Sequence, residues 1–470
     1  MKNVVVVGGG ISGLSTAWLL KKAAYESGTA IELTLLEKEA VVGGKIKSIK
    51  DQGFTCEWGP NGFLDSKPQT LDLCAALGIS GRLYRSNDNA RKRYIFSNGE
   101  LHRLPEGGAS FIKSRLISWP GKLRLMGEPF APPPPSGVDE TLADFARRRL
   151  GQEALDKLIG PMVSGIFAGD PETMSLVSCF PRIAELEREY GGLFKAMFRL
   201  AGKKRKERKA GAVSSSAAGP GGVLTSFKEG IQFLTDTLKE QLGDNIRSGC
   251  EVTSLQREGE SYRVTTTGCG EIMADLVILA APAFASAEIL KSLDSAMSNI
   301  LSSILYASLS IICCGYEREM IGHPLDGFGY LIAKKEGRAT LGTLWDSSMF
   351  ENRAAPGKVL LRSMAGGACL PDLVNLPDGL LLSRVQDDLR LAMGIEAEPS
   401  FVRIFRHRQA IPQYTTGHAA RLNQLEEMQS AHPGLLLTGN AFRGVGLNDC
   451  VASSHLAVEK AMSFLKGEQK

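Results

Sequence analysis

The 470-residue chain has no run of about 18 or more apolar residues, so no bilayer-spanning helix is expected. Its nine cysteines include no CxxC pair, and its six histidines are scattered without metal-ligand spacing, so no metal is expected. The cysteines read as reduced, mostly buried thiols of a cytosolic chain, and a disulfide framework is not expected at this length. A net charge of +4 is too slight to imply nucleic acid. The N-terminus runs straight into a strand, which leaves no room for a cleaved signal. No internal repeat is visible. What is there is 43% hydrophobic and 23% charged residues, over a length that allows two or three domains with large cores.

The first informative stretch is VVVVGGGISGLSTAWLL, residues 4–20. Val4 to Val7 suit a parallel strand buried on both faces. Gly8, Gly10 and Gly13 then have the G-x-G-x-x-G spacing. The first permits a tight turn, the second lets backbone approach a pyrophosphate, and the third lets helix pack on strand. The following helix N-terminus offers free N–H groups to the phosphates. IELTLLEK reads as the second strand and ends at Glu37, a carboxylate placed to accept from a ribose diol. KKAAYESGTA lengthens the interval by extending the helix or its loop. An ordinary glycine-rich turn is the bland alternative. The order strand, glycines, helix, strand, acid favours a dinucleotide.

Two further glycine-rich turns follow: Gly43-Gly44 with Lys45, then Gly59, Pro60 and Gly62 beyond Glu57. Near the C-terminus, GLLLTGNAFRGVGLNDCVASSHLAVEKAMSFL reads as a strand, a glycine loop and a last helix with Asn448 and Asp449 as caps. A helix dipole aimed at the N1/C2 side of an isoalloxazine stabilises the anionic reduced flavin. This pairing of N-terminal fold and C-terminal loop resembles the FAD-dependent amine oxidase and phytoene desaturase superfamily. The resemblance implies FAD, held throughout turnover. In that superfamily the middle segment, SFKEGIQFLTDTLKEQL and the strands after it, returns to the cofactor domain and places Val252 at the adenine. The expected α/β fold is therefore a Rossmann-like FAD-binding domain assembled from residues 1–83, 215–285 and 400–470.

An antiparallel-sheet substrate domain is expected from 84–110 and 286–399. RKRYIFSNGELHRLP would open it as a hairpin turning at Asn98-Gly99. Residues 111–214 form a mostly helical insert. Its segment SFIKSRLISWPGKLRLMG is either an exposed helix-turn or a surface resting on a membrane, since basic amphipathic segments with Trp favour interfaces. KKRKERK at 203–209 reads as a solvated linker leading into AGAVSSSAAGPGG, with attraction to anionic lipid as the alternative.

Six blocks resemble one branch of the superfamily, the porphyrinogen oxidases that act on protoporphyrinogen IX or coproporphyrinogen III. They are GPNGFLDS (59–66), RYIFSNGELHRLP (93–105), SGIFAGDPETMSLVSCFP (164–181), GFGYLIA (327–333), IPQYTTGH (411–418) and GNAFRGVGLNDC (439–450). They stand in family order across almost the whole chain.

The resemblance implies cofactor contacts from Gly8, Gly9, Gly10, Ile11, Ser12, Gly13, Glu37, Lys38, Gly43, Gly44, Lys45, Gly59, Pro60, Asn61, Gly62, Val252, His407, Gly439, Val445, Gly446 and Leu447. It implies substrate contacts from Arg93, Gly169, Phe328, Leu331, Met364 and Ile411, with Arg93 holding a propionate. His407 stands where close relatives often carry Trp, and Asn61 at a variable position. The implied chemistry passes hydride from a meso carbon to flavin N5 while a pyrrole N–H loses a proton. Three such steps give the porphyrin, with oxygen as acceptor and hydrogen peroxide as product. No side-chain triad is required, and His418 reads as structural. Further implied partners are a peripheral contact with the inner face of the cell membrane, hand-over to a neighbouring haem-pathway enzyme, and a homodimer. A flavin amine oxidase, a carotenoid desaturase and a non-catalytic FAD scaffold are the alternatives. The choice between the two porphyrinogens stays open.

Overall fold

The computed structural model describes residues 1–135, 137–209 and 222–467. The valine run lies in the strand Lys2–Val7, the middle of a five-stranded parallel sheet. The order across this sheet is Ile246–Ser248, Ile31–Glu37, Lys2–Val7, Leu276–Leu279 and Leu435–Leu437. Strands from the start, middle and end of the chain thus make one sheet. Both faces are covered, which explains the continuous apolar strands. Val4 and Val6 pack under the helices Ile11–Ser27 and Leu447–Leu465. Val5 and Val7 face the other way, toward the three-stranded meander Glu251–Ala274 and the helices Ala283–Leu290 and Ser295–Ser302.

The second large sheet has seven strands, ordered Phe401–Pro412, Tyr306–Glu317, Lys358–Gly366, Thr340–Leu344, Gly329–Ile332, Arg93–Ser97 and Glu100–Arg103. It is antiparallel except where Gly329–Ile332 runs parallel to Arg93–Ser97. Asn98 and Gly99 both have positive φ in the tight turn after Ser97, as the hairpin required. Two allocations differ from expectation. Phe401–Pro412 is an edge strand of this sheet, because its alternating residues pair with Tyr306–Glu317. The helices of 283–302 pack on the cofactor side.

Helices including Trp119–Met126, Leu142–Arg149, Gly160–Phe167 and Pro181–Tyr190 build the insert. The run 203–209 continues the helix Leu193–Lys209 instead of forming a linker, since Lys, Arg and Glu are good helix formers. Residues 210–221 lie outside the described residues. The cysteine expectation is also corrected: Cys250 and Cys269 form a disulfide with Cα atoms 5.6 Å apart. The hairpin pairing of Glu251 with Thr267 brings them together across 19 residues. Among the described residues no helix is long and apolar enough to cross a membrane.

Candidate functional site

The glycine cradle forms where the first strand ends. Gly8 has φ +104°, and a Cβ there would lie 3.0 Å from the Ala281 backbone. A Cβ on Gly13 would sit 1.8 Å from the Gly8 carbonyl oxygen, so the helix closes on the turn only because Gly13 lacks one. At Gly10 a Cβ would meet nothing within 4 Å. That open face lies at the N-terminus of Ile11–Ser27, which no side chain caps, leaving the first N–H groups at Ile11 and Ser12 for a ligand.

The Glu37 carboxylate is fixed from both sides. It accepts from the Gly9 N–H at 2.6 Å and the Glu39 N–H at 2.8 Å, so each oxygen keeps a lone pair for a ribose hydroxyl. Lys38 points to Glu39 in a surface pair at 3.7 Å. The Gly43 N–H donates to the Gly9 carbonyl at 2.7 Å, and a Cβ on Gly44 would lie 3.2 Å from Gly10 Cα. The second glycine turn is therefore stacked on the first. The Cys250 N–H donates to the Glu37 carbonyl at 2.9 Å, which brings buried Val252 to the ribose end of the cradle.

The C-terminal helix completes this region. Ser454 Oγ lies 2.8 Å from Ser15 Oγ and donates to the Ser12 carbonyl, locking the two helices together. Gly439, at φ +124°, would carry its Cβ only 3.9 Å from Ser12 Oγ. Gly446 is the N-cap ahead of Leu447, and the Asp449 carboxylate accepts from the Gly446 N–H at 3.3 Å. Asn448 is not a cap, because its amide donates to the Leu64 carbonyl at 2.9 Å. Val445 packs beside Tyr414.

The third turn reaches from this cradle toward the second sheet. A Cβ on Gly59 would lie 2.3 Å from the Lys45 carbonyl oxygen, and one on Gly62 would lie 2.2 Å from that of Thr225. Pro60 and Asn61 are carried between them. Lys45 is largely buried. Its Nζ donates to the Gln409 and Ala410 carbonyls at 2.8 and 2.5 Å and has no ion pair among the described residues. Burial pushes its ammonium down to about 8. His407 Nε2 donates to the Trp58 carbonyl at 3.0 Å, since a carbonyl oxygen can only accept. Burial lowers its pKa and keeps it neutral. Trp58 stacks on Phe405 at 5.8 Å, so aromatic packing is retained here despite the histidine.

The sheet face turned to this cradle carries the substrate candidates. Register aligns Ile95, Leu331, Gly342, Met364, Ile311 and Phe405 in one row. Arg93, Gly329, Leu344 and Arg362 form the next. Arg93 has no carboxylate in ion-pair range among the described residues, and its guanidinium lies 5.4 Å over the Phe328 ring. Neighbouring Lys92 is spent on Asp326 at 2.5 Å. Leu331 fills the space that a Cβ on Gly165 would need. Met364 and Ile411 share an apolar cluster with Trp58 and Leu341. Phe328 lies apart from them, with Tyr84 and Leu344. Gly169 does not border open space. Its missing Cβ leaves room for Met174 Sδ and Gln413 Oε1, which would stand 2.2 and 2.7 Å away, so its role is packing within the chain.

The structure explains why three of the motif blocks occur together. Gln413 donates to the Phe167 carbonyl at 2.9 Å, and the Tyr414 hydroxyl to the Asn440 carbonyl at 2.5 Å. His418 stacks on Tyr414 and bonds to the Phe442 carbonyl. IPQYTTGH is thus a brace between SGIFAGD and GNAFRG.

Sequence reasoning missed two buried ion pairs under the third turn, and Leu341. Glu57 and Arg353, both fully buried, meet at 2.8 Å. Asp346 and Arg362 meet at 3.0 Å, and Asp346 also accepts from Asn61 Nδ2 at 2.8 Å. Burial raises the Asp346 carboxyl against the lowering pull of Arg362 and Asn61. These partners lie hundreds of residues apart in sequence, and no local pattern announces them. Leu341 is half-buried at a bulge of its strand, which interrupts the alternation that would have revealed it.

A dinucleotide fits this cradle. It offers open backbone at Gly10, uncapped helix amides and a clamped ribose acid, while buried Thr438 Oγ1 has no partner among the described residues. Fold and cradle together define a two-domain flavoprotein oxidoreductase. The chain belongs to the flavin containing amine oxidoreductases, whose family model matches residues 11–462. Its cofactor is FAD. Coproporphyrinogen III oxidase of Bacillus subtilis (strain 168) is 32% identical over 99% of this chain and 98% of its own. The chloroplastic protoporphyrinogen oxidase of Oryza sativa subsp. japonica is 31% identical over 98% of this chain and 88% of its own. Among solved structures, cyclohexylamine oxidase from Brevibacterium oxydans IH-35A matches with a TM-score of 0.71 over 100% of both chains. At 14% identity that likeness shows the fold alone.

Proposed function

We propose that this enzyme oxidises a porphyrinogen to the porphyrin in haem biosynthesis, by six electrons, with FAD as cofactor and molecular oxygen as acceptor. The observation that carries the reading is Arg93. Its guanidinium is unmatched on a sheet face whose neighbouring row is apolar, with Leu331 and Met364 beside it. A carboxylate-tailed apolar macrocycle suits that combination, because a guanidinium takes a carboxylate bidentately while the ring buries against leucine and methionine. The names of the full-length relatives point the same way.

FAD, when bound, would supply the two-electron acceptor. The chain's own part is to bind, orient and exclude water. Arg93 would anchor one propionate. Leu331, Leu341 and Met364 would hold the pyrrole rings. Lys45 and the helix N-terminus at Gly446–Leu447 would face the flavin with positive potential.

The test uses yellow holoprotein in air with coproporphyrinogen III and protoporphyrinogen IX in separate cuvettes. Porphyrin fluorescence rising above the autoxidation blank is the expected result, and the kcat/KM ratio identifies the preferred substrate. No rate with either, despite bound FAD, removes this reading in favour of amine or carotenoid oxidation.

We also propose that the helical insert rests on the membrane surface. Trp119, Leu123 and Met126, each about two-thirds exposed, share one side of the helix Trp119–Met126, followed by Phe130 at 90% exposure. Arg115 precedes this helix in sequence.

A further inference from the structure

Asn61 is only 6% exposed, and its two amide atoms have unlike surroundings. Nδ2 donates to Asp346 Oδ1 at 2.8 Å. Oδ1 is buried with no partner among the described residues. The asymmetry has a chemical cause. A carboxylate oxygen paired with a guanidinium accepts, so Asp346 draws the amide nitrogen and turns the carbonyl oxygen away. Arg362 keeps Asp346 in that role, with Nε 3.0 Å from Oδ2. Arg362 Nη1 also donates to the Gly59 carbonyl at 2.7 Å, which fixes the loop that carries Asn61.

The unit is placed between the two candidate binding regions. Arg362 lies in the sheet row of Arg93 and Leu344, two residues from Met364 on the same strand face. Gly59 abuts Lys45 at the cradle. A buried acceptor without a donor is unfavourable and becomes satisfied when a ligand brings an N–H. A porphyrinogen has four pyrrole nitrogens, all bearing hydrogen, whereas in the porphyrin only two do.

We propose that Asp346 and Arg362 are positioning residues that hold the Asn61 carbonyl oxygen as an acceptor for a substrate pyrrole N–H, and so favour the reduced macrocycle over the product. This rests on the porphyrinogen reading above. Asn61 would touch substrate, while Asp346 and Arg362 act through it. When the ring loses two of its four N–H hydrogens, the contact weakens and release of product is assisted.

The experiment compares wild-type holoprotein with Asn61→Leu, which removes the acceptor at similar volume, and Asp346→Asn, which no longer dictates the amide's orientation. Three quantities are measured: KM and kcat with the porphyrinogen that the wild type prefers, the inhibition constant of the corresponding porphyrin, and the dissociation constant of FAD. The expected result is a KM raised at least tenfold in both variants. The porphyrin inhibition constant and FAD affinity should stay within about twofold of wild type. Equal changes in KM and porphyrin inhibition would overturn the proposal, because the network would then merely shape the pocket. FAD affinity that falls while KM holds would assign the acceptor to the flavin N3–H. If Asp346→Asn fails to fold, Asn61→Leu decides alone. Absence of any wild-type turnover removes the function reading itself. Wild-type turnover left untouched by both substitutions removes only this proposal.

Discussion

Arg93 keeps its charge unmatched at an exposed strand end, while the adjacent Lys92 is neutralised by Asp326. Arg93→Ala should raise porphyrinogen KM by tenfold or more, consistent with loss of one charge-assisted pair. FAD content should not change, and steady-state kinetics with flavin absorbance check both. Lys45 predicts a pH effect on the FAD-free protein. Its ammonium titrates near 8 when folded, against 10.5 as the ordinary value. Between these values the unfolded chain binds more protons, so stability contributed by this residue rises with pH across that window. Urea unfolding of wild type and Lys45→Met at several pH values should give a difference that favours wild type increasingly from about pH 8 upward. The Glu57–Arg353 pair belongs to stability. Arg353→Met strands a fully buried carboxylate and should lower unfolding free energy by about 3–5 kcal/mol, read by denaturant titration.

At the scale of elements, the helix Trp119–Met126 turns an apolar side outward. Replacing Trp119 and Leu123 by Glu should abolish co-flotation with anionic lipid vesicles and leave catalysis in detergent within about twofold. Unchanged flotation would assign those side chains to another surface. Elements with local signals were legible from sequence. The valine strand, the glycine turns and the Asn98-Gly99 hairpin each carry their cause within a few residues. Elements defined by long-range pairing were not. Phe401–Pro412 reads as any amphipathic strand, and only its pairing with Tyr306–Glu317 assigns its sheet. The basic run at 203–209 has the composition of both a linker and a helix end, and the helix won. Gly169 reads from sequence as a substrate contact, and no local pattern shows that Met174 and Gln413 fill the space beside it.

Across the molecule, the Cys250–Cys269 bond ties the start of the middle segment to its own meander beside Glu37. Alkylation of the urea-unfolded protein should label seven cysteines before reduction and nine after it, as mass spectrometry will count. For a loop of this size the bond is worth roughly 3 kcal/mol in the chain-entropy account, so a reductant should lower the denaturation midpoint. The parallel sheet has a different consequence. Its edge strand Leu435–Leu437 and the helix Leu447–Leu465 follow its other elements in chain order, and Gly439, just after that strand, and Ser454 of that helix both approach Ser12. The first strand, turn and helix carry their causes locally, but the region around Ser12 is complete only when residues more than 400 positions away pack on it. A chain truncated before Gly439 should therefore purify without yellow colour, as flavin absorbance will show.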